Sequence, residues 1–112
     1  MTVKSRVGRT RYVAFQVEAP HAPSRRELIA SVRALATARW GPEEVERAGL
    51  WLAAFDGRLG LLKVKHWSAL RTRELLATVT RIGKEPVAVR TLGTSGTARA
   101  ARRKWLAGLV EG

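Results

Sequence analysis

Along "RYVAFQVEAP" apolar and polar positions alternate, with Val13, Phe15 and Val17 on one parity and Tyr12, Ala14 and Gln16 on the other. A period of two over β-branched and aromatic residues predicts a strand from Arg11, stopped by Pro20. In "HAPSRRELIASVRALATARWG" the period lengthens, and Leu28, Ile29, Val32, Leu35 and Ala36 fall at helical spacing. Ser24 with Glu27 ahead of that stripe is a capping box, so a helix is expected from about Arg25 to Trp40, ended by Gly41-Pro42. The acidic "PEEVERAG" reads as a connecting loop or short helical turn. "LWLAAFDGRLGLLKVK" is two apolar runs around Asp56-Gly57, a pair expected to supply the positive backbone angles of a tight hairpin.

The first strand of that hairpin is apolar on both parities, Trp51, Ala53 and Phe55 on one side and Leu50, Leu52 and Ala54 on the other. Such a strand suits cover on both faces. In "HWSALRTRELLATVTRIG", Ser68 is the expected N-cap, Thr72, Leu75, Leu76, Val79 and Ile82 form one stripe, and Gly83 is the expected C-cap. "PVAVRTL" is the last strand, with Val87 and Val89 inward. A turn through Gly93 to Thr97 follows, and Ser95 or Thr97 caps a third helix to about Val110. The order βαββαβ plus a helix predicts an α+β, ferredoxin-like (RRM-like) antiparallel sheet with both crossover helices on one face. Ala98, Ala101, Trp105 and Leu109 form a stripe on the terminal helix, which is expected to cover the second sheet face. All four Trp are expected in the core, with Trp40 and Trp67, at helix ends, as weaker candidates for anchoring a partner.

Charge changes the picture. The 112 residues carry 21 Lys and Arg against 9 Asp and Glu, a net charge of +12. That length suits one domain, 11–110, behind a basic arm at 1–10. A field of this size favours an anionic partner, nucleic acid ahead of a membrane surface. With no Cys there is no disulfide framework or thiolate metal site. The first residues lack an apolar signal core and no run is long enough to span a bilayer, so a cytoplasmic protein is expected.

The cations fall in four groups: Arg6, Arg9 and Arg11 ahead of the first strand, Arg25 and Arg26 at the first helix, Lys63 and Lys65 on the third strand, and Arg99, Arg102, Arg103 and Lys104 on the last helix. These are the candidate RNA contacts. Ser95, Gly96 and Thr97 between strand and helix have two readings, a capping turn or a phosphate held by backbone amides. Glu43, Glu44 and Glu46 would repel phosphate and are expected, with Trp40 and Trp67, to face a protein. No catalytic constellation or metal-ligand spacing emerges: the acids concentrate in one segment, and His21 and His66 are isolated.

"RYVAFQV", "SRREL", "WGPEEVERAGLWLAAFD" and "VRTLGTSGTARAARRKW", in that order, resemble the archaeal ribonuclease P protein component 2 family, from about Arg11 to Leu106. The resemblance implies a subunit of the ribonucleoprotein that removes the 5′ leader of precursor tRNA, with catalysis by Mg2+ held on the RNA and no cofactor on the chain. It further implies binding and folding of ribonuclease P RNA alongside protein component 3 and other protein subunits, and self-association through that complex. Two other classes stay open. A free-standing RNA-binding module would leave Tyr12 and Leu61 exposed on the sheet, although "LGLLKVK" lacks the glycine-aromatic pattern of such modules. An endonuclease acting alone would bring acids together on a metal.

Overall fold

The computed structural model describes residues 9–107. Residues 1–8 of the proposed arm at 1–10, Arg6 among them, and Leu109 and Val110 lie outside them, while Thr10 already belongs to a strand. The Ser24 side chain accepts from the Glu27 amide at 3.1 Å while the Glu27 carboxylate accepts from the Ser24 amide at 3.0 Å. That reciprocal pair satisfies two amides the helix cannot bond internally, and it opens α1, Arg25–Trp40. Pro42 follows the positive-φ Gly41 and begins a second helix, α2, Pro42–Ala48. The acidic segment is therefore a complete helix: proline loses nothing at the first position, and Glu43 and Glu44 sit at the positive end of the dipole.

Strands β1 (Thr10–Glu18), β2 (Trp51–Phe55) and β3 (Leu59–Lys65) precede α3 (Ala69–Ala77), and a two-residue pair, β4 (Arg81–Ile82) and β5 (Glu85–Pro86), leads to β6 (Ala88–Ser95) and α4 (Ala98–Trp105). The main sheet is antiparallel in the order β2-β3-β1-β6, the ferredoxin-like arrangement expected from the element order. Val13, Phe15 and Val17 of β1 and Leu62 and Val64 of β3 meet Leu28, Val32, Leu75 and Leu76 of α1 and α3 in the larger core. On the reverse face Ala14, Leu59 and Leu61 meet Ala101 and Leu106. The terminal helix thus covers part of the second face. No helix among the described residues is long and apolar enough to cross a membrane.

A bulge explains why β2 is apolar on both parities, and a second one interrupts β6. Leu52 pairs with Leu62 and Ala54 with Leu61, so Ala53 is an extra residue, and both alanines join the reverse-face core while Leu52 and Phe55 contact the larger one. In β6 the register passes from Thr91 opposite Phe15 to Gly93 opposite Ala14, and Leu92 is the extra residue. Strand parity read straight along the sequence fails at both places.

Several boundaries also differ from expectation. The hairpin loop has positive φ only at Gly57, because the Asp56 carboxylate accepts from the amides of Arg58 and Leu59 at 2.8 and 2.7 Å and shapes the turn through its side chain. The second long helix ends at Thr78, not Gly83: "TVT" is β-branched, and the Thr78 hydroxyl donates to the Leu75 carbonyl at 2.7 Å. Val79 and Ile82 reach the core from the segment beyond, and Gly83 turns the small β4-β5 pair. The last strand begins at Ala88 and continues through Ser95, so Gly93, Thr94 and Ser95 belong to it and not to a turn. Pro86 pairs instead in β5.

Candidate nucleic-acid interface

The cations of α4 are placed by its cap and its buried side. Thr97 accepts from the Ala100 amide at 3.1 Å, so its hydroxyl is a helix cap, and Ser95 Oγ accepts from the Thr97 amide at 3.3 Å. Capping is the role these hydroxyls perform; Gly96 faces open space. Ala101 is buried and Trp105 half-buried, which turns Arg99, Arg103 and Lys104 outward, while Arg102 is half-buried. The Trp105 indole lies over Gly93, where a Cβ would collide with the ring, so glycine there sets how closely α4 approaches the sheet. Lys104 Nζ stands 5.3 Å from the centroid of the same indole, within cation–π range.

Lys63 and Lys65 have the parity of Leu59 and Leu61, on the face where α4 packs. Lys63 is directly opposite Tyr12 on one side and Trp51 on the other, and Tyr12 is in turn opposite Ser95. This row continues the sheet face past the covered row of Ala54, Leu61, Ala14 and Gly93. Leu61 is fully buried and Tyr12 half-buried, so the wide open sheet of a free-standing RNA-recognition module is absent here. Arg9 is exposed and its carbonyl accepts from the His66 amide at 3.1 Å, extending the ladder beyond β1. The Arg11 guanidinium donates to the Thr10 carbonyl at 2.9 Å.

Arg25 and Arg26 flank a groove between α1 and the edge strand β2. Arg25 donates to the Leu52 carbonyl at 2.9 Å and Arg33, one of two groove residues that the sequence did not mark as a candidate contact, to the Leu50 carbonyl at 3.4 Å. The other is Trp51. Expected in the core, it is 65% exposed, because β2 is the sheet edge and the bulge at Ala53 leaves Trp51 opposite Lys63 beyond the cover of α4. Trp67, also expected in the core, is 47% exposed.

Three of the candidate partner-binding residues, Trp40, Glu44 and Trp67, gather around Arg71, which no motif flagged. Its guanidinium lies 4.1 Å from the Trp40 ring centroid and 5.4 Å from that of Trp67, with its Nε donating to Ser68 Oγ at 2.9 Å and Nη2 to the Glu44 carboxylate at 3.1 Å. Only the spacing of Trp67 and Arg71, one helical turn apart, hinted at this. Glu44 also meets Arg47 at 3.4 Å, while Glu43 and Glu46 are exposed on α2. Trp67 and Leu70, 70% exposed, project beside the knot. Arg71→Lys keeps the charge but loses the planar stack and the fork, and is expected to cost about 1 kcal/mol, lowering Tm by about 4 °C. A melting curve superposable on the parent's would show that the stack contributes nothing. Among the described residues, no three His, Asp or Glu side chains come together as a metal site would require.

Fold and surface define a small basic α+β protein of ferredoxin-like build, its second sheet face sealed in part by a terminal helix that carries cations outward. The chain belongs to the Rpp14/Pop5 family, whose profile it matches over residues 11–106. It is 31% identical over 96 residues to ribonuclease P protein component 2 of Methanosarcina barkeri, spanning 86% of this chain and 71% of that protein. The protein of the same name from Archaeoglobus fulgidus is 32% identical over 98 residues, spanning 88% and 89%. A chain in the cryo-EM structure of yeast ribonuclease MRP has the same fold, with a TM-score of 0.66 at 14% identity over 80% of this chain and 75% of that one.

Proposed function

We infer that this chain is a protein subunit of ribonuclease P, the ribonucleoprotein that removes the 5′ leader of precursor tRNA, and that it binds and helps fold the catalytic RNA together with a partner protein. Family membership over residues 11–106 carries the reading. The exposed cations agree with it, since Arg99, Arg103 and Lys104 on α4 offer an RNA phosphate backbone charge that the folded chain leaves unused in its cores. Catalysis belongs, in this reading, to the RNA with its Mg2+, and the chain acts by positioning. The partner, of the component 3 type, is assigned to the surface of Trp40, Glu43, Glu44, Glu46 and Trp67, where acids deter phosphate and exposed apolar groups favour protein.

The purified chain alone is expected not to cleave precursor tRNA, and to raise the activity of a ribonuclease P RNA when supplied with the partner protein. Leader removal by the chain alone, persisting after ribonuclease treatment and repurification, would falsify the supporting role. Failure to stimulate the RNA in the presence of the partner would count against membership of the particle.

A further inference from the structure

We propose that the groove between α1 and the edge strand β2 receives an unpaired RNA nucleotide, with its base stacked on Trp51 and its phosphates held by Arg26 beside Arg25 and Arg33. This rests on the RNA-binding reading above and adds to it a site and a mode of contact. The groove, of about 440 Å³, is lined by Arg25, Arg26, Ile29 and Arg33 of α1 and by Leu50, Trp51 and Leu52 at the sheet edge, with no acid in its lining. That volume lies within the range of about 300–1,000 Å³ common for sites holding small organic groups. Trp51 belongs to neither core and is 65% exposed, so its indole face is available. A flat aromatic beside several guanidiniums is the arrangement that binds single-stranded nucleic acid, one surface for the base and charge for the backbone.

A protein strand is the other natural occupant of a sheet edge, and the hydrogen bonding there opposes it. Strand addition needs the outward carbonyls of β2. The Leu52 carbonyl on β2 and that of Leu50 just ahead of the strand already accept from Arg25 and Arg33. The same two bonds hold the guanidiniums along the groove wall. Glu27, the one acid on α1, is turned back to the Ser24 amide by the capping box and is not among the residues that line the groove. Lys63, opposite Trp51, and Tyr12 beyond it continue the row across the sheet, so an RNA strand leaving the groove meets a cation and a second ring.

The test compares binding of the full chain to a labelled, unstructured single-stranded RNA of about eight nucleotides, within the usual site size, and to an RNA duplex of the same length. Trp51→Ala is expected to weaken single-strand binding about 5- to 100-fold and leave duplex binding unchanged, while Trp51→Phe retains most of the affinity. Arg26→Gln, a change at an exposed side chain, should lower the salt slope for the single strand by about 0.7. Single-strand affinity unmoved by Trp51→Ala, as a peptide-binding groove would give, overturns the proposal while the wider RNA-binding reading stands. Equal weakening of duplex and single strand by Trp51→Ala overturns the stacking assignment. If the parent binds neither oligonucleotide nor ribonuclease P RNA, the RNA-binding reading itself fails and this site with it.

Discussion

Trp105→Ala is expected to lower the unfolding free energy by about 3 kcal/mol, the lower end of the range for large aromatics because the ring is half-buried. The indole closes the reverse-face core: it packs with Ala14, Leu61 and Ala101 and covers Gly93, and without it the small side chains beneath cannot fill the space. Gly93→Ala should reach about the same core from the other side, costing roughly 1–3 kcal/mol by forcing the ring off the sheet. The two changes should not add. Once Trp105 is Ala there is no ring for a Cβ at position 93 to strike, so the double variant should be clearly more stable than the sum of the singles implies. Urea unfolding of the four proteins reads this directly, and a neutral Gly93→Ala, or strict additivity, would show that α4 is not seated as described.

The outer face of the same helix should fail in another way. Replacing Arg99, Arg103 and Lys104 together by Gln is expected to shallow the slope of log affinity against log salt by about 2 to 2.7 units, at roughly 0.7–0.9 for each lost phosphate contact. Stability should change little, since all three side chains are exposed and the Lys104–Trp105 contact, at 5.3 Å, is worth at most about 1 kcal/mol at the surface. Arg102 is left in place because it is half-buried and makes a contact within the fold. Binding to ribonuclease P RNA across a salt series, with melting curves as control, is the measurement. A parental slope in the triple variant would mean that this face points to solvent in the particle, and that the RNA meets the protein elsewhere.

Features governed by neighbours along the chain were legible before the structure. The Ser24–Glu27 box sets the start of α1, the cap of α4 is Thr97, one of the two hydroxyls the sequence offered with Ser95, and Gly57 turns the hairpin, because each depends on bonds spanning a few residues. The stop of α3 at Thr78 was equally local, but the stripe from Thr72 to Ile82 masked it. Val79 and Ile82 are buried by the chain's return to the core, and burial alone does not reveal helix. The acidic α2 carried its own signal in Pro42 and the following glutamates.

The sequence by itself determined the order of the main strands and helices, the ferredoxin-like class, the excess of positive charge and the cations of the terminal helix, all of which follow from periodicity, capping and composition. The tertiary structure alone decided which tryptophans are exposed and which cations share a surface. Arg71 lies between Trp40 and Trp67 because α1 and α3 pack on the same face, and Arg25 and Arg33 reach the Leu52 and Leu50 carbonyls because β2 is the unpaired edge. Trp51 is exposed for the same reason, with the bulge at Ala53 setting its side of the strand. Strand order and bulge position arise from pairing between segments distant in sequence, so an apolar run reads alike whether its strand finishes at the centre of a sheet or at its rim.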